Sequence, residues 1–170
     1  MTAFIGHAFC FGDNIDTDVL APGPYLKRSP EELAQHCLEA VDPEFVRKVR
    51  PGDFLLAGTG FGIGSSREQA AVSLRLLGIR AVLAHSFARI FWRNAINLGL
   101  PALRLTEPHN ILPGDRLSVD LETGRVENLG RGGVWHVEPL PARVLGIVSA
   151  GGLLPYLTRE LRARGTGHPS

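Results

Sequence analysis

Two apolar runs of strand length, "DFLLA" at 53–57 and "RAVLA" at 80–84, each lead through a turn into a segment with apolar residues at helical spacing. After the first comes "REQAAVSLRLLG", with a stopping glycine; after the second comes "SFARIFWRNAINLG", whose Ile90, Phe91, Ala95 and Leu98 are expected to face a core. This β-α-β-α alternation places the chain in the α/β class. Upstream, "TAFIGHAFCF" reads as a strand, and "GDNIDTDVLAPGPYL" as a turn-rich loop with acidic side chains and two prolines. Ser29-Pro30-Glu31-Glu32 predicts a capped helix start with proline at the first helical position, burying Leu33, Cys37 and Leu38. A second short helix is predicted from Asp42-Pro43, burying Phe45, Val46 and Val49. From residue 111 the pattern turns to hairpin strands in "PGDRLSVDLETGRVENL" and "GGVWHVEPL". Two helical segments near 142–149 and 152–163 close the chain, and residues 164–170 are expected to form a loose tail. At 170 residues, one domain over 1–163 with a β-rich C-terminal part is the expectation.

The stretch "GFGIGSSREQA", residues 60–70, raises a chemical question. Ser65-Ser66-Arg67-Glu68 has the S-x-x-E form of a capping box, in which serine and glutamate satisfy helix-end amides reciprocally. A strand-loop-helix junction also gathers backbone N–H groups and the positive end of a helix dipole, which suits an anion or a serine oxygen losing its proton. Capping does not call for glycines at 58, 60, 62 and 64, which suggest that something approaches the backbone closely. On local sequence alone, both readings stand.

Other chemistries fit less well. The glycines do not give G-x-G-x-x-G, and no Gly-Lys-Ser/Thr follows, so neither nucleotide motif is present. Gly64-Ser65-Ser66-Arg67 is not a G-x-S-x-G elbow, and the six histidines are scattered. Cys10 and Cys37 are too few and too far apart to hold zinc or an iron–sulfur cluster, and read as small buried hydrophobes in a reducing compartment. A formal net charge of +1 provides no basic field for nucleic acid, and no long apolar span for a membrane is present. The N-terminus lacks signal-peptide features, so a cytoplasmic location is expected. Asp13 and Asp16 read as turn residues bonding backbone, whereas Asp18 is singled out by the comparison that follows.

"GDNIDTDVLAPGPYL", "FGIGSSREQA" and "AHSFARIFWRNAINLGLPAL", in that order and spacing, resemble the small subunits of the aconitase superfamily, above all those of 3-isopropylmalate dehydratases and homoaconitases. "PGDRLSVDL" and "SAGGLLPYL" agree as well. Relatives often carry "FGCGSSREHA"; Ile63 and Gln69 depart from it without touching Ser65, Ser66 or Arg67. The resemblance implies a swivelling β/β/α domain that closes over a separate large subunit carrying a [4Fe–4S] cluster, with no metal on this chain. It implies a hydro-lyase acting on a small di- or tricarboxylate, isopropylmalate in leucine biosynthesis or homoaconitate; an anion-binding module without chemistry is the rival class. By the same resemblance, Ser65 is an alkoxide base, Asp18 orients the proton network, and Arg67 and Ser66 hold substrate. Lys27 and Arg28, after the "YL" pair, would lie over the discriminating substituent, with Gly62, Gly64 and Glu68 supporting the loop.

Overall fold

The computed structural model describes residues 3–165. Among these residues, seven strands form one sheet: β1 (Ala3–Cys10), β2 (Phe54–Ala57), β3 (Ala81–Ala84), β4 (Ala102–Arg104), β5 (Arg116–Asp120), β6 (Arg125–Asn128) and β7 (Val134–His136). Their spatial order is β4-β3-β2-β1-β5-β6-β7. β1 to β4 pair in parallel, whereas β5 pairs antiparallel with β1 and continues as an antiparallel meander. β1 is therefore the seam between two halves with different chemistry.

In the parallel half β2 and β3 are apolar throughout, because successive side chains point to opposite faces and both faces are covered. Leu55, Val82 and Ala84 pack with Leu20, Leu33, Phe45, Leu74 and Phe91 on one side. Phe54, Leu56 and Leu83 pack with Leu117, Val119, Ile147 and Val148 on the other. In the antiparallel half β5 alternates, with Leu117 and Val119 buried between more exposed neighbours.

The parallel strands are joined by helices. Between β1 and β2 lie α1 (Thr17–Leu20), a 3-10 turn at Gly23–Tyr25, α2 (Pro30–Ala34) and α3 (Phe45–Lys48). α4 (Gln69–Leu76) joins β2 to β3, and α5 (Arg89–Asn97) joins β3 to β4. α6 (Ala142–Ser149) and α7 (Leu153–Gly165) follow the meander. The predicted elements are all present, with α2 ending earlier than its apolar spacing implied, at Ala34. Leu33, Cys37 and Leu38 are nonetheless buried. α7 continues through Gly165, so Arg164 and Gly165, assigned to the tail, are helical; residues 166–170 lie outside the described ones.

Ile90 departs from expectation. It is 50% exposed, while Phe91, Ala95 and Ile96 take the buried face of α5. Adjacent helical positions differ by about 100°, so the placement of the sheet decides which of two neighbouring apolar residues is covered.

Candidate active site

The loops after β1, β2 and β3 all leave from the carboxyl ends of parallel strands, where open α/β sheets commonly bind ligands. They continue the strand pairing beyond the sheet. Gly58 N–H donates to Gly12 O at 3.1 Å, Gly62 N–H to Ile15 O at 2.7 Å, and Thr17 N–H to Ile63 O at 2.8 Å. On the other side Phe61 N–H donates to Ser86 O at 3.1 Å and Ala88 N–H to Phe61 O at 2.9 Å. Phe61, fully buried, packs edge-on against Phe91 and Phe87, with ring centroids 5.1 and 5.9 Å away, and so pins the middle loop to α5.

This zipper explains the glycines. A side chain at Gly62 would collide with Phe91, and a Cβ at Gly64 would lie 2.9 Å from Thr17 Oγ1; both residues also adopt positive φ, 83° and 111°. The close approach inferred from sequence is thus made by the protein itself, from the 12–17 loop and α5. Asp13 and Asp16 are backbone acceptors, as expected: Asp13 takes Thr59 N–H at 2.8 Å, and Asp16 caps α1 through Val19 N–H at 2.8 Å.

The capping box at Ser65 does not form. α4 begins at Gln69, its N-cap is Glu68, and no side chain accepts a bond there. Ser65 is exposed, and its hydroxyl lies instead 3.4 Å from Thr17 Oγ1. Thr17 itself is 3% exposed, so one face of Ser65 rests on a fixed hydroxyl and the other meets the cleft. Sequence reading passed over Thr17, although it precedes Asp18 in the same "TD" pair.

Arg67 is held across a gap of 49 positions. Its Nη1 donates to Asp18 Oδ1 at 2.7 Å and to Ala21 O at 3.0 Å. Asp18 also accepts from Gly23 N–H at 3.3 Å. The Arg67 hydrogen bond, then the Gly23 amide, hold the Asp18 carboxyl below the usual aspartate range. Asp18 therefore contacts Arg67 in this geometry, and Ser66 is exposed on the same turn as Ser65.

Ser65 opens onto a cleft of about 520 Å³ lined by Gly62, Gly64, Ser65, Ala88, Arg89, Ile90 and Arg93. The residues on α5 and just before it were not anticipated as part of the site; the i,i+4 pair of arginines on a helix with one buried face was the available signal. Lys27 and Arg28 are absent from this lining. Both are exposed on the turn after Tyr25, with the Arg28 guanidinium 5.2 Å from the Tyr25 ring centroid; that ring stacks on His36 at 3.6 Å.

The chain's own residues do not fit an iron–sulfur cluster. Cys10 packs against one core and Cys37 within the other. Burial, with help from Asp115, pushes the Cys10 thiol up to about 11, and burial raises that of Cys37 further, which opposes the thiolate form such ligation needs. Among the described residues no group of three or more His, Cys, Asp or Glu is arranged to hold a metal, and no helix is long and apolar enough to cross a membrane.

Residues 20–108 match the family described as the aconitase C-terminal domain. The 3-isopropylmalate dehydratase small subunit of Nautilia profundicola is 45% identical over 95% of this chain and 98% of its own length, and that of Caldicellulosiruptor bescii 48% identical over 94% and 97%. The isopropylmalate/citramalate isomerase small subunit of Methanocaldococcus jannaschii is 48% identical over 92% of this chain and 94% of its own. The crystal structure of a 3-isopropylmalate dehydratase from the same archaeon superposes with a TM-score of 0.92 at 40% identity, covering 98% of this chain and 99% of that one. With the sequence likeness running nearly end to end and the glycine-serine loop set on the matching fold, the chain belongs to the aconitase C-terminal domain family, among the small subunits of the 3-isopropylmalate dehydratases.

Proposed function

We propose that this chain is the small subunit of a 3-isopropylmalate dehydratase, a hydro-lyase of leucine biosynthesis that moves the hydroxyl of a 2-hydroxy alkyl-dicarboxylate to the neighbouring carbon by dehydration and rehydration. It works in the cytoplasm with a separate large subunit, whose [4Fe–4S] cluster would supply Lewis-acid chemistry toward the leaving hydroxyl. The observation that carries the reading is the release of Ser65 from capping: its hydroxyl faces the cleft beside a buried threonine, in a chain that matches such subunits nearly end to end.

Removing the proton beside a carboxylate needs a strong base. A serine oxygen serves only where dipoles and cations stabilise its anion, and where it is held in place. Ser65 receives that role here; Thr17 limits its motion and Arg67 stands nearby on the same loop. We assign Arg67 to a substrate carboxylate. Both of its bonds to the protein use Nη1, so the guanidinium is oriented by Asp18 and Ala21 with its remaining N–H groups left to fork onto a ligand. Ser66 would add a hydrogen bond. Asp18 sets the direction of Arg67, and Gly62 and Gly64 allow the loop to pass under Phe91 and over Thr17. Lys27 and Arg28 are assigned to the side of the substrate that carries its distinguishing substituent.

The test is anaerobic reconstitution with a cluster-loaded large subunit, following the alkene by its ultraviolet absorbance. Turnover of isopropylmalate by the pair, and by neither chain alone, is the expected result. Inclusion of citramalate measures how broadly small alkyl groups are accepted. A reconstituted pair that converts no alkylmalate would remove the dehydratase reading.

A further inference from the structure

We propose that a second cavity, at the opposite end of β2 from the Ser65 loop, is a binding site for a free α-amino acid with an aliphatic side chain. Its volume is about 350 Å³, toward the small end of ligand pockets, which suits a small metabolite. Phe9 and Pro113 give it apolar walls, and Asp42, Asp53, Lys48 and Arg50 bring charge of both signs. Nothing in this cavity depends on the chemistry at Ser65.

Asp53, immediately before β2, is 5% exposed. Its Oδ1 accepts His7 N–H at 3.0 Å and its Oδ2 accepts Arg50 N–H at 2.8 Å, which uses two of about four lone-pair sites on the carboxylate. Its ion-pair partner among the described residues is His7, whose Nδ1 lies 3.7 Å away and is cationic only when protonated. A buried carboxylate without a permanent counter-charge is costly, and an ammonium group in the cavity supplies one. Asp42 borders the same cavity, with Oδ1 accepting Glu44 N–H at 3.0 Å. Lys48 and Arg50 are exposed, and none of the ion pairs among the described residues uses either of them. Arg50 Nη1 is anchored on the carbonyls of Arg47 and Val49 at 3.0 and 3.1 Å, which leaves its other nitrogens for a carboxylate. Two cations and two carboxylates thus border one cavity without pairing across it, an arrangement that a zwitterion satisfies at both ends. A small dicarboxylate would meet the same two cations but also two like charges, which disfavours it. Phe9 is fixed edge-on against Phe45, with ring centroids 5.2 Å apart, and an aliphatic side chain in the cavity covers it and Pro113.

The experiment titrates L-leucine into the full chain, followed by calorimetry and by amide NMR. Saturable binding at millimolar concentration or below is expected, with shifts at Phe9 and Gly114 and none at Gly64 and Ser65. 4-Methylpentanoate lacks the ammonium and 3-methylbutylamine lacks the carboxylate, so the affinity for each should be lower by about tenfold or more. L-Alanine should bind several-fold more weakly than leucine for want of apolar contact. Replacing Lys48 and Arg50 together by alanine should weaken leucine binding by about tenfold, and Asp53→Asn by at least as much. Circular dichroism and melting check the fold of each variant; should Asp53→Asn fail to fold, the exposed Lys48 and Arg50 positions and the two analogues still decide. Absence of saturable leucine binding overturns the assignment. So does unchanged affinity in the Lys48 and Arg50 variant, or equal affinity for 4-methylpentanoate, which would make this a simple anion site. Shifts confined to the Ser65 loop would overturn it too, by placing leucine in the other cleft.

Discussion

Two segments of this chain carry the same S-x-x-E pattern and use it differently. At Ser29-Pro30-Glu31-Glu32 the serine oxygen accepts the Glu32 amide at 3.2 Å, and α2 starts at the proline. At Ser65-Ser66-Arg67-Glu68 the helix starts after the glutamate, and the serine meets Thr17. Proline at the first helical position presets φ for the first segment, so local preference and outcome agree. In the second, Gly64 at positive φ turns the chain toward Thr17, and Arg67 is drawn to Asp18 and Ala21. A cap contributes about 1 kcal/mol, which several tertiary hydrogen bonds together can outweigh. The lesson is that a capping motif states a local preference, which tertiary contacts can override.

The sharpest way to break this contrast is Ser65→Ala in the reconstituted enzyme. Turnover is expected to fall by about a thousandfold, within the range general-base groups contribute, while the melting temperature stays at the wild-type value because no cap is lost. A variant that melts earlier but keeps its rate would return Ser65 to the status of Ser29.

Arg67→Lys comes next. A single ammonium cannot hold Asp18 and Ala21 and also reproduce the planar fork onto a carboxylate, so kcat/KM should drop by roughly ten- to a hundredfold. Steady-state kinetics with isopropylmalate reads this directly, and wild-type values would take Arg67 out of the substrate's reach.

The mirror experiment is Ser29→Ala. It should cost about 1 kcal/mol of stability and leave the kinetics of the reconstituted enzyme unaltered. Denaturant titration of the two serine variants side by side then separates the two segments: one change alters stability alone, the other alters rate alone.

A smaller effect is expected from acid. Because the Asp18 pKa is lowered in the folded chain, its contribution is fully present above the pKa of an unfolded aspartate and is lost as pH falls through the depressed folded value. The Arg67 contact should therefore persist from neutral pH into the ordinary aspartate range and weaken only below it. Carboxyl carbon shifts of Asp18 followed by NMR would show a midpoint below that of an exposed aspartate; a normal midpoint would mean that the ion pair is not maintained in solution.

The smallest effect is expected at Arg28. Its guanidinium rests on the Tyr25 ring outside the cleft lining, so Arg28→Ala should change the KM for isopropylmalate, whose substituent is uncharged, by no more than about twofold, with any selective loss confined to substrates bearing an extra charge. Comparing isopropylmalate with homoaconitate measures that selectivity, and a large loss with isopropylmalate would mean that Arg28 supports the alkyl substituent as well as a charged one.

Much of this architecture is local in origin and was legible. Continuous apolar runs announced β2 and β3, the Ser29-Pro30 pair announced α2, and the alternation in "RLSVDL" announced the meander, because each signal depends on neighbours within a few residues. The family motifs picked out Ser65, Arg67 and Asp18 as residues to watch.

What the sequence could not decide is how those residues meet. That the notches at Gly62 and Gly64 receive Phe91 and Thr17, that Ser65 abandons its cap, that Arg67 reaches Asp18 across 49 positions, and that Ile90 faces the cleft while Phe91 is buried all follow from where three loops leave adjacent parallel strands. The cap at Ser65 is worth only about 1 kcal/mol, and contacts between residues far apart in the chain tip such local choices only once the sheet has brought them together.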